Sequence, residues 1–122
     1  MNTTPRVEAG YAVAEAQVMS EYGIHARPSA LIAMKCSKYE GKVIITRISP
    51  PPDSSDPDHN AHSIMDLMTL EAARDNIVRI MVQGTDAKAV DMCQQLVDLI
   101  SSDLDNMIKA YEGETGRKWV VR

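Results

Sequence analysis

Histidine, arginine and proline fall together in the stretch Gly23-Ile24-His25-Ala26-Arg27-Pro28-Ser29-Ala30. Proline is favoured at the first position of a helix, where its missing N–H costs nothing and its φ is already helical. Pro28 therefore marks a helix start. His25 and Arg27 then stand around that start, where backbone N–H groups and the positive end of the helix dipole attract anions. Neutral imidazole is a nucleophile, and a guanidinium forms strong, fork-shaped hydrogen bonds to phosphoryl oxygens. Phosphoryl transfer asks a protein chiefly for positioning and charge stabilisation. The segment thus predicts a covalent phosphohistidine at His25, with Arg27 steadying the phosphoryl group. On spacing alone, the same residues also fit a loop histidine beside a helix cap.

A second stretch, Ser63-Ile64-Met65-Asp66-Leu67-Met68-Thr69-Leu70, reads as a short helix. Ser63 is a good N-cap, worth about 1 kcal/mol, and Asp66 at the third helical position approximates a capping box. Leu67 and Leu70 are its core candidates. Ile64, Met65 and Met68 are open to two readings, further core or an apolar surface, and methionine suits a surface that must adapt to several partners. His59 and His62, with Asp56 and Asp58 nearby, invite a metal reading. Their spacing is loose and no thiolate joins them, so a solvated loop is expected and no metal site is assigned. Cys36 and Cys93 form no CxxC pair and are too few for a secreted disulfide framework. Both are expected as buried, reduced thiols.

These residues need a scaffold, and the chain supplies alternating patterns for one. Residues 1–10 are polar, contain Pro5 and Gly10, and read as a loose arm. In 11–18 the even positions Ala12, Ala14, Ala16 and Val18 are apolar and the odd ones include Glu15 and Gln17, as in a strand with one buried face. A helix over roughly 27–39 follows, with Gly41 as its stop. The β-branched run 42–48 is a second strand. Residues 49–60 hold four prolines and three aspartates, which suit neither a central strand nor a helix, so an exposed loop is expected. A short strand around 60–62 is expected next. Residues 76–83 alternate again, with Val78, Ile80 and Val82 on one face. The last helix, capped by Thr85 or Asp86, carries the clearest stripe: Ala89, Cys93, Leu96, Val97, Ile100, Leu104 and Met107. It is expected to run to about Tyr111, before a basic, partly apolar tail over 113–122. With helices covering only one face, the sheet is expected to be antiparallel and the class α+β.

Bulk properties narrow the function classes. At 122 residues the chain holds one domain, here placed at 11–112 with 49–60 as an inserted loop. The net charge of −4 argues against a broad nucleic-acid surface. No apolar run reaches membrane-spanning length, and the start lacks a signal-peptide core, so a cytoplasmic protein is expected. With no phenylalanine and eight methionines, the core must be aliphatic and thioether.

The segment 23–30 resembles the active-site segment of HPr, the histidine phosphocarrier of the bacterial phosphoenolpyruvate:sugar phosphotransferase system. The segment 63–70 resembles that family's second signature, which carries its regulatory serine. The two occur in the family's order, and the resemblance covers roughly 11–104. It implies an open-faced β-sandwich, a four-stranded antiparallel sheet with three helices on one face. It also implies that His25 accepts phosphate from enzyme I and passes it to IIA components, with Arg27 steadying the group and no cofactor bound. Such a carrier is not an independent catalyst. Ser63 would be a target of HPr kinase/phosphorylase, and Ala26, Ile64, Met65 and Met68 would form the docking patch of a monomer that binds neither nucleic acid nor membrane.

Several residues depart from the family's pattern. The loop 49–60 is longer than usual, Asp66 and Glu71 stand where glycine is common, His62 replaces a lysine, and the extension after about Asp105 has no counterpart. Asp66 is expected to place a negative charge inside the docking patch, altering partner choice or on-rate. The competing reading is a regulatory interaction module, in which phosphorylated Ser63 signals to a transcription regulator or enzyme without sugar transport.

Overall fold

The computed structural model describes residues 2–53 and 57–104. Its elements are β1 (Arg6–Glu8), β2 (Tyr11–Gln17), α1 (Ala26–Cys36), β3 (Val43–Ser49), β4 (Asp58–Asn60), α2 (Ile64–Met68), β5 (Ile77–Gln83) and α3 (Ala87–Ile100). The strands form one sheet in the order β1-β2-β5-β3-β4, with every neighbouring pair antiparallel.

The alternating segments supply the middle of this sheet. β5 lies between β2 and β3, with Ala14 and Ile45 both opposite Ile80. Ala12, Ala14, Ala16, Val43, Ile45, Val78, Ile80 and Val82 are buried in one cluster with Ile32, Cys36, Leu67 and the α3 residues Ala89, Cys93, Leu96, Val97 and Ile100. The alanine face of β2 leaves room for α3, which packs on it, so the weak strand propensity of alanine is offset by close packing. Ile32, Ile45, Ile80 and Leu96 are wholly hidden, each worth roughly 1.5–3 kcal/mol of transfer from water. Burial pushes the thiol pKa of Cys36 up to about 12 and that of Cys93 up to about 11, and both are free cysteines in the core as expected.

The sheet has five strands rather than the four expected, because the start of the chain is not a loose arm. β1 pairs with β2 through a two-residue turn in which Ala9 and Gly10 both have positive φ, 50° and 85°, the twist that suits a tight hairpin. Thr3 N donates to Glu15 O at 2.9 Å and Gln17 N donates to Asn2 Oδ1 at 2.9 Å, which extends the edge. Arg6 closes a fork on Glu15, both contacts at 2.9 Å, and Arg79 Nε reaches the same carboxylate at 3.2 Å. The hydrogen bond from Arg6 leads the causes holding the Glu15 carboxyl below its ordinary range.

Helix boundaries also differ. α1 begins at Ala26, so Pro28 is its third residue rather than its first. A proline is tolerated there because an N–H in the first turn has no acceptor within the helix. α1 ends at Cys36 with Ser37 as C-cap, short of the expected Tyr39, whose hydroxyl instead donates to Gln83 O. Gly41 is therefore not a helix stop. A Cβ on it would lie 2.8 Å from the Tyr39 ring and 3.1 Å from Gln83 O, so it admits close packing. Asp86 rather than Thr85 caps α3, accepting from Ala89 N at 3.0 Å. α3 ends at Ile100, though Leu104 is buried as the stripe required. Met107, Tyr111 and the tail 113–122 lie outside the described residues. The short strand expected at 60–62 is β4, at 58–60, within what was expected to be loop.

Candidate functional site

The loop from Val18 to His25 is held at both ends. Val18 N donates to Asn76 O at 2.9 Å, Asp75 N donates to Val18 O at 2.7 Å, and Met19 N donates to Ile100 O at 3.3 Å. Closer to the histidine, Gly23 N donates to Ser20 O at 2.9 Å and Ile24 N donates to Ala72 O at 2.9 Å. Gly23 has φ +76, and a Cβ on it would sit 2.2 Å from Ala72 O. Only glycine meets both demands, the left-handed backbone and the close approach of another chain segment. Ile24 is buried next to it. His25 then caps α1 with extended backbone, φ −97 and ψ −162, and its carbonyl accepts from Ser29 N at 2.8 Å. Its side chain makes no capping hydrogen bond.

The segment pressed against Gly23 has its own anchor. Glu71 has φ +54, the left-handed region that favours glycine, and its carbonyl accepts from Arg47 Nη1 at 2.9 Å. The next residue, Ala72, supplies the oxygen that holds Ile24. A chain of contacts thus runs from β3 through Glu71 and Ala72 to the residue preceding His25. Arg47, Glu71 and Ala72 were not expected as positioning residues. The one signal in the sequence was Glu71 at a position where a glycine is common.

Around His25 the surface is open. Ala26 and Arg27 are exposed in the first turn of α1, and Tyr22, 70% exposed, meets the His25 ring edge to face. α1 packs on α2. In α2 only Leu67 is buried, while Ile64, Met65 and Met68 are exposed, and Leu70 joins the core just beyond. The open choice between core and surface for these three is decided by length: a five-residue helix hides a single side. Met65, 75% exposed, is the most prominent.

Ser63 caps α2 as expected, its hydroxyl accepting from Asp66 N at 3.1 Å. Asp66 does not complete a capping box, because Ser63 N donates to Asn60 O instead. The Asp66 carboxylate turns to β4, accepting from Asn60 N at 2.8 Å and lying 2.9 Å from His59 Nδ1. The Asn60 amide foremost, then desolvation working against it and His59 with it, leave the Asp66 carboxyl below its usual range. The negative charge expected of Asp66 is therefore tied to β4 by these bonds. His62 goes elsewhere: its Nε2 lies 3.0 Å from Gly41 O, which only a protonated nitrogen can satisfy. The two histidines thus have separate partners, and among the described residues no three candidate ligands gather for a metal. Asp56 lies outside the described residues. No helix among the described residues is long and apolar enough to cross a membrane.

The family model described as the PTS HPr component phosphorylation site matches residues 13–102. The phosphocarrier protein HPr of Treponema pallidum (strain Nichols) is 32% identical over 73 residues, covering 60% of this chain and 75% of that protein. A histidine-containing phosphocarrier protein structure from Mycoplasma superposes with a TM-score of 0.59 at 26% identity, over 75% of this chain and 100% of that one. The phosphocarrier protein HPr of Bacillus anthracis str. Ames shares the fold, with a TM-score of 0.62 at 24% identity over 76% of this chain and 99% of that one.

Proposed function

The chain belongs to the HPr family of phosphotransferase-system phosphocarriers, and from that membership we propose that His25 is its phosphoryl-carrying residue, loaded by enzyme I and unloaded by IIA components. A carrier of this family moves phosphate and is not an independent catalyst. The observation that carries the assignment is the placement of His25 as the N-cap of α1, with exposed Arg27 in the first turn behind it.

The chemistry follows from that placement. One ring nitrogen of neutral His25 attacks the donor's phosphorus; the N–P bond forms as the donor's bond to phosphorus breaks, and the electron pair leaves with the donor. The other ring nitrogen keeps its proton. The phosphoryl group then lies at the positive end of α1 with Arg27 within the same turn, and both favour the added negative charge. Transfer onward needs a surface that two partners can share. Ala26, Ile64, Met65 and Met68 are exposed and two of them are adaptable methionines, which suits docking of more than one protein.

Ser63 adds a regulatory layer to this reading. A kinase/phosphorylase acting on its hydroxyl would place nearly two negative charges beside the exposed Ile64 and Met65, discouraging enzyme I. Incubation with enzyme I and labelled phosphoenolpyruvate tests the carrier role: acid-labile label is expected in the wild type and absent in His25→Ala. Robust labelling of His25→Ala would refute it. Incubation with the kinase and ATP is expected to give acid-stable label lost in Ser63→Ala, and equal labelling of that variant would remove Ser63 as the target.

A further inference from the structure

The chain has no phenylalanine, four tyrosines and one tryptophan, so an aromatic ring placed in solvent is a large surface withheld from the core. Tyr22 is such a ring, 70% exposed. It meets the His25 imidazole with centroids 6.2 Å apart and planes at 72°, inside the range of attractive edge-to-face pairs. The backbone beneath both rings is fixed. Between them, Gly23 is bonded to Ser20 and Ile24 to Ala72, and Gly23 is locked in a conformation and a contact that no other residue fits.

We propose that Tyr22 is a positioning residue for phosphoryl transfer: its ring packs against the imidazole of His25 and keeps one ring nitrogen turned toward the incoming phosphorus. This rests on His25 being the phosphoryl carrier. Tyr22 takes no part in the bond changes, which stay between His25 and the donor. The ring contact favours one rotamer of the imidazole over the others, and a reacting group held in one geometry gains over one spread among several. An edge-to-face contact of ordinary strength biases such an equilibrium roughly two- to tenfold.

The variants Tyr22→Leu and Tyr22→Phe test this, because the site is exposed and neither change touches the core. Phosphorylation by enzyme I and phosphoenolpyruvate is followed with the full chain as the varied substrate, and the His25 ring protons are followed by NMR. Tyr22→Leu is expected to lower kcat roughly two- to tenfold with KM unchanged and to move the His25 ring resonances. Tyr22→Phe, which keeps the ring, is expected to match the wild type in both readouts. A wild-type kcat in Tyr22→Leu, a loss confined to KM, or an equal loss in Tyr22→Phe would overturn the proposal. If the wild type is labelled on His25 and the Tyr22 variants are unaffected, this inference alone fails. If label persists in His25→Ala, the carrier reading fails with it.

Discussion

Replacing Gly23 by alanine probes the link between fold and site. Two costs arise from the structure. The backbone there has φ +76, and a residue with a side chain is disfavoured in that region relative to glycine by about 1 kcal/mol. The new Cβ would also sit 2.2 Å from Ala72 O, where a contact below 3.0 Å cannot stand. The Ala72 segment must retreat, and the Ile24 N to Ala72 O bond of 2.9 Å breaks, for about 1 kcal/mol net and more if the buried amide finds no new acceptor. The sum is roughly 2–4 kcal/mol, which in a domain of this size lowers Tm by roughly 10–30 °C. Gly10→Ala is the internal control: φ is +85 but nothing lies within 4 Å of a Cβ there, so the backbone cost of about 1 kcal/mol acts alone. Urea unfolding followed by circular dichroism measures both, and the labelling assay reads the site. Gly23→Ala is expected to lose more stability than Gly10→Ala and also to accept phosphate more slowly, since His25 moves with the loop. Equal stabilities for the two variants would show that the close approach of Ala72 does not constrain the loop.

Glu15 sets a pH dependence. Its carboxyl titrates below the ordinary range because Arg6 and then Arg79 bond its charged form, so the stabilisation is fully present above the unfolded value near 4.3 and is lost as pH falls through the lower folded value. Thermal melts are expected to show Glu15→Gln less stable than wild type at pH 7, by on the order of 1 kcal/mol, with the gap closing in acid; a gap that is constant with pH would contradict the pairing. Glu71→Gly relieves a positive φ of 54 while keeping the carbonyl that Arg47 holds. It is expected to raise stability by about 0.5–1 kcal/mol, and a lower urea midpoint would show that the glutamate side chain does more than its backbone suggests.

Much of the scaffold was legible in the chain because it follows from periodicity. The alternation in β2 and β5 and the stripe of α3 describe burial on one face, the β-branched run of β3 marks a strand by propensity, and local patterns of that kind survive into the tertiary structure. The antiparallel α+β class followed from their order. The edge strand β1 was not legible: its pairing comes from Arg6 reaching Glu15 and from an Ala9-Gly10 turn with no strong hairpin signal, and residues nine positions apart meet only once the turn closes.

The site divides along the same line. The sequence alone determined that His25, Arg27 and Pro28 lie at a helix start and that Ser63 begins a second, shorter helix, because capping and proline preferences act within a few residues. Tertiary structure decided what surrounds them. It brought Ala72 against Gly23, turned the Asp66 charge to Asn60 and His59, set Tyr22 beside the His25 ring and left Ile64, Met65 and Met68 outside. These are contacts between separate elements or choices of which face is buried, and neither is specified until the sheet and helices have packed.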